Sequence, residues 1–186
     1  MPSAVSEPQQ KPRILAITCM RNEGPYCLEW IAHHRAAGVG EFLIYTHDCD
    51  DGTDRLLDLV PGVTHVPFQP DRDKSVPWQA MRLADAHPPM KTADWVIFFD
   101  CDEYLCLEGG MRSFGDLIDT VPSDTDAVAL PWHLFGAGGQ EELADALTPR
   151  RFRLAAPHPF FLPAGSFFKT LFRPDAFQKL GVHRPK

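Results

Sequence analysis

Four β-rich apolar runs, at residues 13–20, 41–47, 64–68 and 94–99, alternate with three stretches of helical character, at 24–37, 51–60 and 77–87. Strands joined through helices run parallel, because each helix carries the chain back to the edge where the previous strand began, and parallel sheets are covered by helices on both faces. The punctuation agrees with this reading. Gly24-Pro25 opens the first helix and Gly38 stops it, Asp51 stands as the cap of the second, and Pro61-Gly62 ends it. The expected fold class is therefore α/β, a three-layer sandwich around a mostly parallel central sheet. A flexible Pro/Gln/Ser leader over residues 1–12 precedes it.

The pattern changes after Asp100. A short helix is expected over 113–120, with Ser113 and Asp116 spaced as a capping box, and strands over 126–131, 151–155 and 167–173. Residues 136–149 read as a loop, and Pro157, Pro159 and Pro163 as a rigid irregular link. No internal repeat is present, so residues 13–186 are expected to form one domain, with 106–186 laying loops over one end of the sheet.

With 44% hydrophobic residues the chain can bury a core, which excludes disorder as its main state. Its 25 acidic against 18 basic side chains argue against nucleic-acid binding, which needs a basic surface to neutralise phosphates. The charge is uneven, since residues 149–186 hold eight of the basic side chains and only one acid. That basic tail reads as solvated, or as a patch that draws in an anionic donor or surface. No apolar stretch approaches the ~18 residues of a membrane helix, and the first residues lack a signal-peptide core, so a cytoplasmic protein with at most peripheral contact at the inner face of a membrane is expected. The five cysteines (19, 27, 49, 101 and 106) form no Cys-x-x-Cys pair and read mostly as buried reduced thiols.

The sharpest local signal is Trp95-Val96-Ile97-Phe98-Phe99-Asp100-Cys101-Asp102-Glu103-Tyr104. A buried strand delivers two carboxylates, two residues apart, to the carboxyl end of a parallel sheet, where open α/β sheets bind ligands. Such hard oxygen donors suit Mg2+ or Mn2+ and leave positions open for substrate phosphates; the plainer reading is a turn of solvated acids. The segment from Thr18 through Arg21, Asn22 and Glu23 follows the first strand and enters a helix N-terminus, whose unpaired N–H groups favour an anionic ligand. His47, Asp48, Cys49, Asp50 and Asp51 follow the second strand with acids able to grip base or ribose hydroxyls. All three segments fall on one edge of the sheet.

These residues resemble the glycosyltransferase family 2 group, in the branch that carries Arg-Asn-Glu-Gly after its first strand. The resemblance rests on Met20-Arg21-Asn22-Glu23-Gly24, Glu29-Trp30 with His34, Asp51-Gly52-Thr53, Gln79, the run from Asp94 to Leu105, Trp132 with Phe135-Gly136, and Gly181-Val182-His183. It implies a GT-A fold, a nucleotide-sugar donor, a divalent metal (Mn2+ or Mg2+), and inverting transfer to a glycan, lipid-linked or protein-linked acceptor. Residues 13–105 would then be the nucleotide-sugar-binding half and 106–186 the acceptor-side half. Asp100 and Asp102 would be the family's Asp-x-Asp metal pair and His183 its late histidine. Thr18, Arg21, Asn22, Glu23, His47, Asp48, Asp51, Gln79 and Asp100 would line the donor site, and Trp132 to Gly139 the acceptor wall.

Inverting transfer also needs a carboxylate to take the acceptor proton. The loop after that wall offers Asp145 first and Glu141 second. His47 and Cys49 depart from the family's usual Asn and Ser, and Arg150 stands where some relatives place an acid. Family domains usually continue beyond the late histidine, so the acceptor half is expected to be either cut short at residue 186 or a minimal version. Two rival functions share the same residues: a catalytically degenerate nucleotide-sugar-binding paralogue, and a haloacid-dehalogenase-like phosphatase with Asp100 and Asp102 as nucleophile and acid. The phosphatase pattern puts its motif on the first strand and follows it with a later acidic pair, neither of which holds here.

Overall fold

The structure, a computed structural model, describes residues 11–142, 144–157 and 166–186. In chain order its strands are β1 (Ile14–Met20), β2 (Glu41–Thr46), β3 (Val63–Pro67), β4 (Trp95–Phe98), β5 (Ala127–Pro131), β6 (Phe135–Gly136), β7 (Leu154–Ala155) and β8 (Phe168–Phe172). The helices are α1 (Gly24–Ala36), α2 (Thr53–Leu57), α3 (Val76–Ala84), α4 (Pro88–Thr92), α5 (Phe114–Ile118) and α6 (Thr148–Arg151). Six strands make the central sheet in the order β3-β2-β1-β4-β8-β5, and β6 pairs with β7 in a separate ladder. β1 to β4 run parallel, as expected; β8 is antiparallel to both its neighbours, β4 and β5.

The alternation of side chains along β1 explains the layering. Ile14, Ala16 and Met20 pack into a cluster with Trp30 and Ile31 of α1, Leu57 of α2 and Phe114 of α5. Leu15 and Ile17 point to the opposite face and pack with Ala80, Met81 and Ala84 of α3 and Met90 of α4. Because successive strand residues face opposite ways, a strand apolar at every position belongs between two helical layers. Each large side chain removed from water here, such as Trp30, Phe42 or Trp95, contributes about 1.5–3 kcal/mol.

α1 presents Cys27, Trp30, Ile31 and His34 to the core, the spacing of a helical stripe. It ends in a Schellman arrangement: Val39 N–H donates to the His34 carbonyl and Gly38 N–H to that of Arg35, with Gly38 at φ +97° where a side chain is disfavoured. The Ser113–Asp116 capping box is present at α5.

Several expectations change. The second helix is only Thr53–Leu57 and begins from Gly52 at φ +91°, while the expected 77–87 helix ends at Ala84 as α3, and a separate α4 that the pattern does not predict follows from Pro88. The strand expected at 151–155 shrinks to Leu154–Ala155, because Thr148–Arg151 coil into α6. Pro159, Pro163 and most of the 1–12 leader lie outside the described residues. Among the described residues no helix is long and apolar enough to cross a membrane.

Candidate functional site

The chain leaves β1 toward β2 and β3 on one side and later returns with β4 on the other. The carboxyl ends of β1 and β4 thus flank a switch point, where the outgoing loops diverge and open a crevice. The loops after β1, β2 and β4 meet at this edge and are stitched together by side chains. Asn22, in the left-handed region at φ +57°, donates through Nδ2 to Asp50 Oδ1 at 2.8 Å and accepts from Asp50 N–H at 2.9 Å. Asp51 Oδ2 accepts from Gly24 N–H at 2.7 Å, while its Oδ1 accepts from the backbone and hydroxyl of Thr53 at 2.9 and 2.6 Å. A Cβ on Gly24 would lie 2.8 Å from that Oδ2, so only glycine allows this approach.

Asp51 is thus not the cap expected for α2, whose N-cap is Gly52; it braces Thr53 from one position earlier and occupies the start of α1. With the Gly24 N–H taken and Pro25 lacking one, the α1 N-terminus is filled by the protein's own carboxylate, contrary to the expectation of an open anion site there. Glu23 is pushed above the usual carboxylate range by burial and then by the fields of Asp102 and Asp51, which shows acids of all three loops within reach of one another.

Asp100 follows β4 and is held on every side. Its Oδ2 accepts from Lys169 Nζ at 2.8 Å, and the same ammonium lies 3.1 Å from Glu103 Oε2. Glu103 Oε2 in turn accepts from Asp100 N–H at 2.8 Å. Lys169 comes from β8, is 1% exposed, and sits 5.1 Å from the Phe98 ring centroid and 5.8 Å from that of Trp132. Burial raises Glu103 to about 7, with Lys169 opposing.

The backbone of this loop is gripped by α1. Trp30 Nε1 donates to the carbonyls of Asp100 and Glu103 at 3.1 and 3.0 Å. His33 Nε2 bonds the Leu105 carbonyl at 2.8 Å, and Leu105 N–H reaches His34 Nε2 at 3.4 Å. His34 is fully buried between Trp30 and Phe99, and burial drives it down to about 3, so it is neutral: Nδ1–H donates to the Trp30 carbonyl at 2.9 Å and Nε2 accepts. Of the residues that carry the family resemblance, Trp30 and His34 thus act as scaffolding for the acid loop, whereas the Glu29 carboxylate holds Thr148.

The other candidates divide. Arg21 and Asp48 are exposed on the rim; Asp48 is held below its usual range chiefly by His47, 3.3 Å away, and also faces Arg72. Thr18 is entirely buried within β1, away from the exposed rim, and its hydroxyl has no hydrogen-bond partner among the described residues. Both ends of the Gln79 amide are engaged with the backbone of the 71–75 loop. Asp145 and Glu141 are exposed, and no hydrogen bond or ion pair among the described residues links either to the acid edge.

His183 leans on the rings of Trp132 and Phe167, at 5.6 and 5.7 Å, and its Nδ1 bonds the Phe168 carbonyl. Trp132 lies in turn 5.8 Å from the ammonium of Lys169, the partner of Asp100. Among the described residues no three His, Cys, Asp or Glu side chains gather closely enough to ligate a metal, so Asp100, Asp102 and His183 are not drawn into one ligand set.

The donors present nevertheless suit a hard cation. One oxygen of Asp100 is committed to Lys169, but its side chain is 42% exposed, and Asp102 beside it is exposed. Two carboxylates with open positions match Mg2+ or Mn2+, which keep waters and take further oxygens from substrate phosphates. A surface cleft of about 380 Å3 lies at the opposite edge between Arg13, Asp94, Asp126 and Arg173, where charges of both signs already pair.

Sequence reasoning missed Lys169 by counting it with the solvated tail. A lone lysine in the apolar run Phe167-Phe168-Lys169-Thr170-Leu171-Phe172 was the available signal, since a buried lysine requires a partner. Arg173 is likewise structural: its guanidinium stacks 4.5 Å from the Trp95 ring, and Nε donates to the Thr125 carbonyl.

The sequence model of glycosyltransferase family 92 matches residues 18–186. The chain belongs to glycosyltransferase family 92. That assignment takes the place of the family 2 group suggested by the motifs. A family 92 protein of Oryza sativa subsp. japonica is 27% identical over 169 residues, covering 86% of this chain and 26% of the rice protein. One from Ricinus communis is 28% identical over 138 residues, covering 70% of this chain and 24% of its own length. This family 92 chain therefore spans about a quarter of the length of the curated relatives it matches. A solved mannosyltransferase from Pyrobaculum calidifontis, in complex with GDP-Man and Mn2+, gives a TM-score of 0.47 at 19% identity, covering 66% of this chain and 36% of that one.

Proposed function

We propose that this family 92 chain is the donor-binding part of a metal-dependent glycosyltransferase of GT-A type, moving a sugar from a nucleotide-linked donor to a glycan, lipid-linked or protein-linked acceptor. The observation that carries the reading is the convergence of three loops at the switch point of a parallel sheet, with Asp100 and Asp102 facing out of it. Asp100 and Asp102 would hold Mn2+ or Mg2+, which when bound neutralises charge on the leaving diphosphate. Arg21, Asn22, Glu23, His47 and Asp48 form the rim against which the nucleoside lies. Asn22 and Asp50 keep that rim rigid, so its geometry exists before the ligand arrives. Trp132 and the glycines after it wall the acceptor side. The acceptor proton goes to the 141–145 loop, to Asp145 first and Glu141 second, and the transfer inverts the sugar's configuration. A uridine diphosphate donor is the first choice.

Release of nucleoside diphosphate from UDP- and GDP-linked sugars, with and without Mn2+, tests this reading. Metal-dependent release that disappears in Asp102→Ala supports it. Metal-dependent binding without release marks a catalytically degenerate paralogue. Phosphate release from simple phosphomonoesters, abolished by Asp100→Asn, overturns it.

A further inference from the structure

We infer that Lys169 is a positioning residue for the acid pair, an internal cation that turns Asp100 so that one carboxylate oxygen stays inside the protein and the other faces the donor. The inference rests on the metal-dependent reading above. Its basis is geometric. The side chain is 2% exposed, so its ammonium cannot itself touch a donor at the rim. That ammonium instead meets Asp100 Oδ2 at 2.8 Å and Glu103 Oε2 at 3.1 Å, between the faces of Phe98 and Trp132. Glu103 closes the ring by accepting the Asp100 N–H, so the backbone and one carboxylate oxygen of Asp100 are fixed together.

The topology explains why the cation comes from so far along the chain. β8 is the strand next to β4 in the sheet, with Phe172 in register with Val96, and because β8 runs antiparallel its first residues lie beside the carboxyl end of β4. Lys169, the second residue of β8, therefore arrives where β4 releases Asp100. Thr170, the next residue, ties the same strand to the His183 carbonyl at 2.6 Å, so the C-terminal segment and the acid pair are anchored to one strand. A buried cation beside two carboxylates also keeps the edge from accumulating uncompensated charge before a metal binds. Metal binding then requires no rotation of Asp100, which is what preorganisation supplies.

Replacing Lys169 alone leaves buried carboxylate charge unpaired and can unfold the chain, so the decisive variant is Lys169→Met/Glu103→Gln. It removes one positive and one negative group, keeps the formal charge of the site, and preserves side-chain volume. Mn2+ binding followed by electron paramagnetic resonance on the full chain reads metal affinity, and thermal unfolding of the same samples reads the fold. The expected result is a variant that melts within a few degrees of wild type yet binds Mn2+ at least tenfold more weakly. In donor turnover kcat should fall more than the donor KM rises. Mn2+ affinity within twofold of wild type in the folded double variant overturns the positioning role alone. Wild type that binds no Mn2+ overturns the metal-dependent reading and this role together.

Discussion

The acid edge and the excursion of residues 132–157 are built in opposite ways. At the edge, the loops after β1 and β2 are joined by paired hydrogen bonds, and Trp30, His33, His34 and Lys169 hold the backbone and carboxylates of residues 100–105 from below. The excursion is a two-residue ladder with Phe135, Leu147 and Leu154 exposed and glycines at positive φ at 138 and 139. It is moored through Glu29 on α1, whose carboxylate accepts from Thr148 N–H at 2.7 Å, and it closes on itself through Ala156 N–H to the Leu134 carbonyl. One region carries its geometry in the fold and the other keeps it adjustable. That is the division the proposed function calls for, with a constant diphosphate gripped on one side and a variable acceptor admitted on the other.

The largest predicted effect tests the rigid side. Trp30→Ala removes the donor shared by the Asp100 and Glu103 carbonyls and opens a cavity under the loop; it should cost about 3–5 kcal/mol in urea unfolding. A cost below about 1 kcal/mol would break the contrast between the two regions.

Next comes a pH effect from His34. Its pKa in the fold, about 3, lies below the 6.5 of the free side chain, so the unfolded chain binds the extra proton. The stability His34 supports is present above pH 6.5 and drains as pH falls toward 3. Between pH 7 and 5 that loss is about 2 kcal/mol. Glu103, raised to about 7, works in the opposite direction, gaining stability as pH falls from 7 toward 4.5. Comparison of wild type with His34→Gln cancels the Glu103 contribution, and the stability gap between them should narrow by about 2 kcal/mol from pH 7 to 5. A gap that stays constant would mean that His34 titrates in the native protein as it does in the unfolded chain, and that burial does not hold it neutral.

The smallest effect belongs to the adjustable side. Phe135→Ser should change stability by no more than about 0.5 kcal/mol, since the side chain is half exposed, while altering the acceptor KM and leaving donor binding as it was. A change in donor binding instead would merge the two regions into one.

How much of this was legible in the sequence follows from the range of each interaction. β1 to β4, α1 and the Ser113–Asp116 cap rest on local periodicity and nearby caps, and they appear within a residue or two of where the pattern placed them. The acid pair at the end of β4 was legible for the same reason. β8 as a strand was also legible, but its insertion between β4 and β5 was not, because pairing across more than 70 residues leaves no local trace. Lys169 depends on that pairing and was lost with it. Asp51 was taken as a cap for the helix that follows it, whereas one of its oxygens serves the helix before, through a loop contact that spacing does not encode.

The measurement that tests the central claim most directly is calorimetric titration of the full chain with nucleoside diphosphate sugars, in Mn2+ and in chelator, for wild type and Asp102→Ala. Asp102 is exposed, so the variant should melt as wild type does. The account predicts binding that requires Mn2+ and is lost in the variant. Donor binding of equal strength in chelator, or undiminished in Asp102→Ala, would contradict it.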